Sequence, residues 1–520
     1  MEQLRQYQRR YDKAKTIAQQ WTSLLEAAYH YCIPGRNMFY RTKQSQGEQK
    51  NIQVYDTTQV SATKNFVSKI HGALTPPQQS WAYLEASDNV PDEVKHDLNQ
   101  QLQKYTDVIF HYIRSSNFDI AINECYYDLA VGTAILVCNE GESEEDPIKF
   151  SSIPLEQVAI EESIDHMCET CFRTWGETRI ADIPHIWPKA RLSSQMADAL
   201  RLDPNAVTKN LVEAVIYNYK DKKTPYTYVL WHENDILLEE KQESSAFIIF
   251  RWAKINKEVF GRGPIIDALP SIMSLQTAAY FEMTAANLNI CKPYMAYSDS
   301  VFSPYTFKLQ PNTIIPVSPN NNGQFPIQPL PDVANPQFMQ ITTMDLRQQI
   351  NQLMFANPLG PVNDTPTRTA TELSLRQRNL AEEIGPLFTR LQQEFLNKTI
   401  DRIRYILVKK GLLPNKIKIK GQEVKVKYKS PLTISQGQQD VTTFMNYMQV
   451  MQGIIGPEMS VAYLNNTKFP VWLAEKLGVD ATLVNSEEQM QEIFQQKQDE
   501  MQEAQAMEMM QGMQQGAPVG

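Results

Sequence analysis

A candidate metal site is the first feature to test, because His166, Cys168 and Cys171 stand at the spacing of half a zinc site. A structural zinc ion needs four ligands, and the chain has no second C-x2-C pair that could complete the set. Acidic residues cluster between 161 and 165, as charge runs usually do on a solvated face. The spacing therefore predicts neither a metal site nor a catalytic pair of carboxylates.

Motifs for other kinds of chemistry are missing from the sequence. No G-x4-G-K-[ST] loop is present to hold nucleotide phosphates, and neither H-E-x2-H nor G-x-S-x-G occurs. The 6 cysteines are scattered and no secretory signal precedes them, so a reducing cytoplasm fits better than a disulfide framework. We expect a protein that is not an enzyme and that has no cofactor.

The composition indicates a large globular protein with an acidic balance of charge. The chain has 520 residues, 42% of them hydrophobic, and a formal net charge of -9. Contacts to DNA phosphates need clustered Lys and Arg, so this balance argues against an adhesive DNA-binding surface. It does not exclude a surface that DNA must slide past. Because no apolar run is long enough to span a membrane and the N-terminus is charged, we expect neither a membrane span nor a signal peptide.

The strongest periodic signal lies between 369 and 412, where apolar residues recur every three or four positions, as one buried face of a helix requires. The residues on this face are Leu380, Ile384, Leu387, Leu391, Phe395, Ile400, Ile403 and Leu407. A capping box can begin the helix at Thr369, and Gly411 ends it. Gly385 and Pro386 lie inside it and predict a kink rather than a break, because the apolar spacing continues through them.

Other elements lie on both sides of this helix. Helices are predicted from Leu4 to Tyr31, after an N-cap at Asp56 or Thr57, and twice between 92 and 137. Short β-rich runs separated by polar turns fall at 158–160, 211–219, 226–231 and 246–252. The predicted fold class is α+β and mainly helical.

Two further helices carry unusually few charges. Pro270 can occupy the first turn of a helix running to about Ile290, in which Glu282 is the one charged residue. A second helix, from Pro336 to about Phe355, is charged only at Asp345 and Arg347. Helices so poor in charge are normally buried. Either they form an ordinary core hairpin, or neighbouring subunits of a ring cover them.

Between these two helices, the segment 292–335 holds eight of the 30 prolines. So long a connection is unusual unless it has a function. Short apolar runs suggest strands, and the segment is rich in aromatic residues for a disordered insertion. These aromatic residues are Tyr294, Tyr297, Phe302, Tyr305, Phe307 and Phe325.

After the long helix, apolar residues alternate with lysines between 416 and 429, around Gly421 and Gln422. This pattern predicts a β-hairpin with one lysine face. The lysines either contact nucleic acid, or lie on a solvated face or against acidic partners. Helices are predicted over 437–478, with Trp472 in their core, and the Gln- and Met-rich end from Ser486 onward is expected to be partly disordered.

Short motifs follow one another over most of the chain. They are Tyr55-Asp56-Thr57-Thr58, Leu74-Thr75-Pro76-Pro77 with Trp81, Gly132-Thr133-Ala134, Arg251-Trp252, Phe260-Gly261-Arg262-Gly263-Pro264, Thr369-Ala370-Thr371-Glu372-Leu373 and Gly385-Pro386. Each motif alone is weak, but the ordered set resembles the portal, or head-to-tail connector, proteins of short-tailed bacteriophages.

The resemblance implies a portal fold with a wing, a helical stem, a clip and a crown, besides the long kinked helix. The implied division is a wing at 1–262, stem helices at 263–291 and 336–356, a clip at 292–335, a tunnel loop at 357–368, the long kinked helix and hairpin of the wing at 369–430, a crown at 431–485 and a tail at 486–520.

The resemblance also implies roles for particular residues. Asn363, Asp364, Thr365 and Arg368 of the tunnel loop would reach DNA in the channel. On the stem, Glu282 and Asp345 would be the channel charges. The aromatic residues of the clip would contact partner proteins, and Gly385 with Pro386 would kink the long helix.

The function implied is a ring, usually of twelve copies, at one vertex of the capsid in the virion, assembled in the host cytoplasm. Double-stranded DNA would pass through it without sequence specificity during packaging and ejection. Partners would be the terminase motor, the tail adaptor, and capsid and scaffold proteins. The alternative is another oligomeric helical scaffold or adaptor of the virion. Both fit a chain without catalytic motifs, and electron microscopy of rings separates them.

Overall fold

The structure is a computed structural model, and it describes most of the chain in several stretches. They are residues 2–36, 54–77, 79–86, 92–143, 145–221, 223–290, 294–296, 327–329, 336–356, 387–414, 424–428, 431–456, 459–460, 463–464 and 468–477. The fold is a mixture of helices and antiparallel sheets. In the part of the chain described, no helix is long and apolar enough to cross a membrane.

The helices are numbered here in chain order. They are α1 (Glu2–Cys32), α2 (Thr58–Leu74), α3 (Asp92–Ser115), α4 (Phe118–Val131), α5 (Ile183–Ile186), α6 (Ser194–Leu202), α7 (Pro264–Ile290), α8 (Pro336–Leu353), α9 (Asn397–Lys409), α10 (Pro431–Ile455) and α11 (Lys468–Leu477). Residues 387–391 are also helical, and a π-helical turn, Gln392–Leu396, joins them to α9.

The strands are numbered in the same way. They are β1 (Ala82–Ala86), β2 (Thr133–Glu140), β3 (Ile148–Ser152), β4 (Val158–Glu162), β5 (Cys168–Trp175), β6 (Thr178–Arg179), β7 (Val207–Thr208), β8 (Leu211–Tyr217), β9 (Tyr226–His232), β10 (Asp235–Gln242), β11 (Phe247–Arg251), β12 (Tyr294–Ala296), β13 (Ile327–Pro329) and β14 (Val424–Tyr428).

The largest sheet has five antiparallel strands in the order β10-β9-β8-β5-β4. The first half of α1 packs on it, where the Tyr11 ring meets Phe172 and Trp231 edge to face at centroid distances of 5.7 and 6.1 Å. Aromatic pairs in this geometry add stability beyond the area that they bury. This sheet contains three of the four β-rich runs, so those predictions are confirmed.

A second sheet has three antiparallel strands in the order β11-β2-β3 and contains the fourth run. Strand β11 and the first six residues of β2 are buried, and β3 alternates between buried and more exposed residues. Helix α4 packs against β2 and β3, and the π-turn before α9 packs against β11. Phe250 and Phe395 stack there with ring centroids 4.5 Å apart. The main hydrophobic core is continuous through this region.

Two predictions about helices need correction or stay open. Helix α7 begins at Pro264, so Pro270 lies inside it and not at its first turn. The physical reason is that Pro264 already occupies the first turn, where a missing N–H costs nothing. The kink residues Gly385 and Pro386 lie outside the described residues, so the kink remains a prediction.

Strand β14 pairs with β1, a strand more than 300 residues away in the chain, with Val426 opposite Leu84. The first half of the predicted lysine hairpin lies outside the described residues. Near the C-terminal end, α10 and α11 pack through an aromatic cluster, in which the Phe444 ring lies 4.9 Å from Phe469 and 5.3 Å from Trp472. Trp472 is half-buried and thus part of this contact, as predicted.

Candidate functional site

Helices α7 and α8 pack against each other and leave large apolar side chains in solvent. Phe281 and Met283 of α7 are 56% and 54% exposed. Two residues apart on an α-helix, they point in directions roughly 160° apart. The C-terminal half of α7 therefore exposes apolar side chains on two nearly opposite sides, and packing against α8 alone does not cover both sides.

Helix α8 shows the same division into a covered and an uncovered face. Thr343 and Ile350 are buried, whereas Ile341 and Met344 are 60% and 62% exposed. Large apolar patches on a soluble chain usually mark a binding surface. We refer to α7 and α8 together as the helix pair and treat their exposed face as the candidate site.

The residues just before α2 hold the helix pair in place through hydrogen bonds to both of its helices. The guanidinium of Arg347 donates to the Asp56 carboxylate at 2.9 Å from two nitrogens. The Gln276 side-chain amide accepts from Tyr55 N–H at 2.8 Å and donates to the Asp56 carbonyl at 2.9 Å. One short segment thus holds both helices at once.

The carboxylate of Asp56 also receives the Thr58 N–H at 2.8 Å, at the start of α2. Of the two predicted residues, Thr57 takes the N-cap position without a cap hydrogen bond from its side chain, and Asp56 supplies this contact from the position before it. Burial raises the pKa of Asp56, but hydrogen bonds from Thr58 and Arg347 outweigh it and leave the pKa below its ordinary value. The group therefore stays ionised and keeps its ion pair to α8.

Three glycines join the foot of α7 to the end of α4. Gly132 has a φ of 151°, and a Cβ there would lie 2.1 Å from the Gly261 carbonyl oxygen. A Cβ on Gly261 would lie 2.5 Å from the Gly132 oxygen, and one on Gly263 would lie 2.3 Å from the Ala130 oxygen. Only residues without a side chain fit such a backbone contact. The motifs at 132–134 and 260–264 are therefore two sides of one junction.

The structure places some of the predicted site residues and not others. Glu282 is half-buried on α7, and Asp345 is exposed on α8, one turn after Ile341. Tyr294 begins β12, which pairs with β13. The remaining predicted residues lie outside the described part of the chain, and they are Tyr297, Phe302, Tyr305, Phe307, Phe325, Asn363, Asp364, Thr365, Arg368, Gly385 and Pro386.

The half zinc motif is split between the surface and the core. The His166 side chain is 78% exposed, whereas Cys168 and Cys171 are buried in β5. Burial raises the pKa of Cys168 to about 12, so its thiol is protonated at neutral pH. Within the residues that the structure describes, no group of three or more potential ligands could hold a metal ion.

Sequence reasoning missed the residues that hold the helix pair in place. The only sequence signal for this role was weak: Arg347 and Gln276 are polar side chains within helices that carry few charges. A second missed group is Asp128, which is buried in α4 and accepts from the Tyr29 hydroxyl at 2.6 Å. Arg36 lies 3.5 Å from its other oxygen. Burial raises the pKa of Asp128 to about 6, against the opposing effect of Arg36.

This burial predicts a pH dependence of stability. The folded pKa of Asp128 lies above its unfolded value, so its contribution is full below pH 4 and is lost as the pH rises through about 6. The difference is on the order of 3 kcal/mol. We expect the stability of the parent protein, relative to Asp128→Asn, to fall between about pH 4 and about pH 6 and to change little above that. Urea unfolding at several pH values measures this, and parallel pH profiles of the two proteins would contradict it.

The described residues form an α+β body to which the helix pair is anchored, and the outer face of that pair exposes large apolar side chains. A family model agrees with this description. The model of the bacteriophage head to tail connecting protein family matches residues 4–484. The chain belongs to this family, as the ordered motifs indicated.

Curated relatives match the chain over nearly its full length. It is 22% identical over 523 residues to the "Probable portal protein" of Bordetella phage BPP-1, covering 95% of this chain and 91% of the relative. It is also 22% identical over 520 residues to the "Portal protein" of Salmonella phage epsilon15, covering 93% of this chain and 89% of the relative.

Among solved structures, the chain has weak similarity to chains of two gene transfer agent structures. The neck of an empty GTA particle gives a TM-score of 0.39 at 11% identity, covering 79% of this chain and 88% of that one. The virion of a native gene transfer agent (GTA) particle gives a TM-score of 0.37 at 12% identity, covering 79% and 99%. Such low TM-scores carry no conclusion about this chain.

Proposed function

We propose that this chain is the subunit of a portal, a ring at one capsid vertex that forms the channel for viral DNA and the platform for the packaging motor and the tail. The observation that carries the proposal is the family match over residues 4–484. Two relatives matching over nine-tenths of the chain bear the name portal protein or probable portal protein. The proposed ring has twelve copies, which the family resemblance suggests.

The helix pair supports assembly into a ring. A closed ring needs two different complementary faces on each subunit, because every copy contacts one neighbour on each side. Phe281 and Met283 expose apolar surface in nearly opposite directions on α7. In a ring both would be covered, one by each neighbour. An isolated subunit would leave them in water.

In this proposal the chain is divided as the resemblance implied. The wing comprises 1–262 together with the long helix and hairpin at 369–430. The stem comprises 263–291 and 336–356, and the clip 292–335. The tunnel loop comprises 357–368 and brings Asn363, Asp364, Thr365 and Arg368 near the DNA. The crown comprises 431–485, and the tail comprises 486–520.

The partners follow from the same proposal. Because the chain has no nucleotide-binding loop, a separate terminase must supply the ATPase that moves DNA. The clip aromatics, from Tyr294 to Phe325, contact that motor during filling and the tail adaptor afterwards. Capsid and scaffold proteins hold the ring in its vertex, and the assembly takes place in the host cytoplasm.

The channel assignment of Glu282 and Asp345 can be tested by reversing their charge. We expect rings carrying both Glu282→Lys and Asp345→Lys to retain linear double-stranded DNA, in a way that weakens with rising salt, because added cations bind phosphates. Filter binding at several salt concentrations measures retention. The control is Asp198→Lys, an exposed wing position paired only with Arg201 on its own helix. Equal retention by control and double variant would show that neither stem residue faces the channel.

A further inference from the structure

The carboxylate of Glu394 forms the most buried ion pair in the described chain. It lies in the π-turn and is 2% exposed, and its partner Arg251 at the end of β11 is fully buried. Arg251 Nη2 donates to Glu394 Oε1 at 2.6 Å, and Arg251 N–H and Nε donate to Oε2 at 2.9 and 3.3 Å. Main chain and side chain of Arg251 thus hold one carboxylate together.

The rest of the guanidinium is also occupied. Arg251 Nη1 donates to the Val259 carbonyl at 3.1 Å, and Nη2 donates to the His166 carbonyl at 2.8 Å. A buried charge is stable only when its hydrogen bonds are satisfied, and removing one partner of such a pair is strongly destabilising. The guanidinium of Arg251 is therefore held by the carbonyls of these two loop residues as well as by Glu394.

The π-turn gives Glu394 its direction. In a regular α-helix, Glu394 and Arg402 are eight residues apart and would point about 80° apart. The π-turn winds less per residue, which brings both onto the side that faces the sheet. Arg402 donates there to the Cys138 carbonyl at 3.0 Å. The helix is thereby attached to the same sheet at two places, by Glu394 at one end and Arg402 at the other.

The neighbouring residue, Trp252, contacts a different part of the chain. Its ring lies 5.9 Å from that of Phe355, two residues beyond the end of α8. Phe355 has a φ of 51°, a left-handed conformation that is strained for a bulky residue. Lys69 Nζ donates to the Phe355 carbonyl at 2.9 Å. Packing on Trp252 and the bond from Lys69 hold this strained exit from α8 in place.

Two adjacent residues therefore contact the chain on both sides of the interval 357–386. We propose that Arg251 and Trp252 form a double anchor that couples the end of α8 to the π-turn Gln392–Leu396, so that a displacement at one of these two places displaces the other. Both are positioning residues. Their consequence for DNA rests on the proposed function, which assigns residues 357–368 of this interval to the tunnel loop in the channel; the coupling itself does not rest on it.

Hydrogen–deuterium exchange on the full-length protein tests the coupling. Glu394→Gln keeps the shape of the side chain but removes its charge. We expect it to speed exchange at least tenfold not only at 392–396 but also at 353–356, where Glu394 makes no contact. The reciprocal variant Phe355→Leu should speed exchange at 392–396. A role confined to local packing would change only the mutated end.

The matched control is Arg402→Met, which removes a buried cation from the same helix and the same sheet. We expect it to leave exchange at 353–356 within twofold of the parent. The proposal is overturned if 353–356 is unchanged in Glu394→Gln, or if Arg402→Met loosens that end equally. Should Glu394→Gln not fold, Arg251→Lys and Phe355→Leu carry the same test. Electron microscopy shows separately whether rings form. A negative exchange result would therefore contradict the double anchor without contradicting the portal proposal.

Discussion

Replacing Gly132 by alanine is expected to destabilise the protein by about 3 kcal/mol or more and to leave much of it unfolded at physiological temperature. The added Cβ would lie 2.1 Å from the Gly261 oxygen and 2.9 Å from the Gly263 nitrogen, both backbone atoms. The Gly263 nitrogen is held in place because its N–H donates to the Val131 carbonyl at 2.8 Å. Gly132 itself is held because its carbonyl accepts from the Trp252 N–H at 2.9 Å. The positive φ of Gly132 adds backbone strain.

Thermal or urea unfolding of the purified variant measures this effect. The matched control is Gly72→Ala within α2, where a Cβ would meet nothing within 4 Å. Because alanine is a better helix former than glycine, we expect that control to be as stable as the parent or slightly more so. A Gly132→Ala protein that melts within a degree or two of the parent would show that the junction tolerates a side chain.

Replacing Phe281 by aspartate is expected to abolish ring formation while the subunit remains folded. Phe281 is 56% exposed in the single chain, so the substitution costs little in the monomer. In the proposed ring a neighbour covers this position, and a carboxylate buried without a partner is strongly unfavourable. Sedimentation velocity and circular dichroism together separate loss of assembly from loss of fold.

The control for this experiment is Leu202→Asp, at an apolar position at the end of α6 that is 89% exposed. It introduces the same charge on the same kind of exposed residue, but away from the helix pair. We expect it to assemble as the parent does. If Phe281→Asp assembles at the same protein concentration as Leu202→Asp, the exposed face of α7 is not a subunit interface.

Local patterns were enough to predict most regular elements. The runs at 211–219 and 226–231 could be predicted as strands, because alternating or continuous apolar residues are a local property of sequence. In the structure these two strands are adjacent. The stripe through Leu391, Ile400 and Ile403 likewise marks a buried helix face. It did not reveal the π-turn, because apolar residues spaced by three or four fit a helix with or without one extra residue.

Contacts between distant residues could not be predicted in this way. Arg251 and Glu394 are 143 residues apart, and nothing in either local sequence indicates the other. The glycines at 132 and 261 each belonged to a weak motif, and their meaning became clear only when the fold brought them together. The charged residues of the helix pair could be found from sequence, but the side to which Glu282 and Asp345 point depends on packing.

Electron microscopy of the purified full-length protein tests the portal proposal most directly. We expect closed rings with a central hole wide enough for a DNA duplex, and class averages with a single dominant rotational symmetry, twelvefold in the form proposed. Rings of another closed symmetry would revise only the copy number. Isolated subunits at micromolar concentration, or open filaments without a central hole, would contradict a portal and favour another helical scaffold or adaptor of the virion.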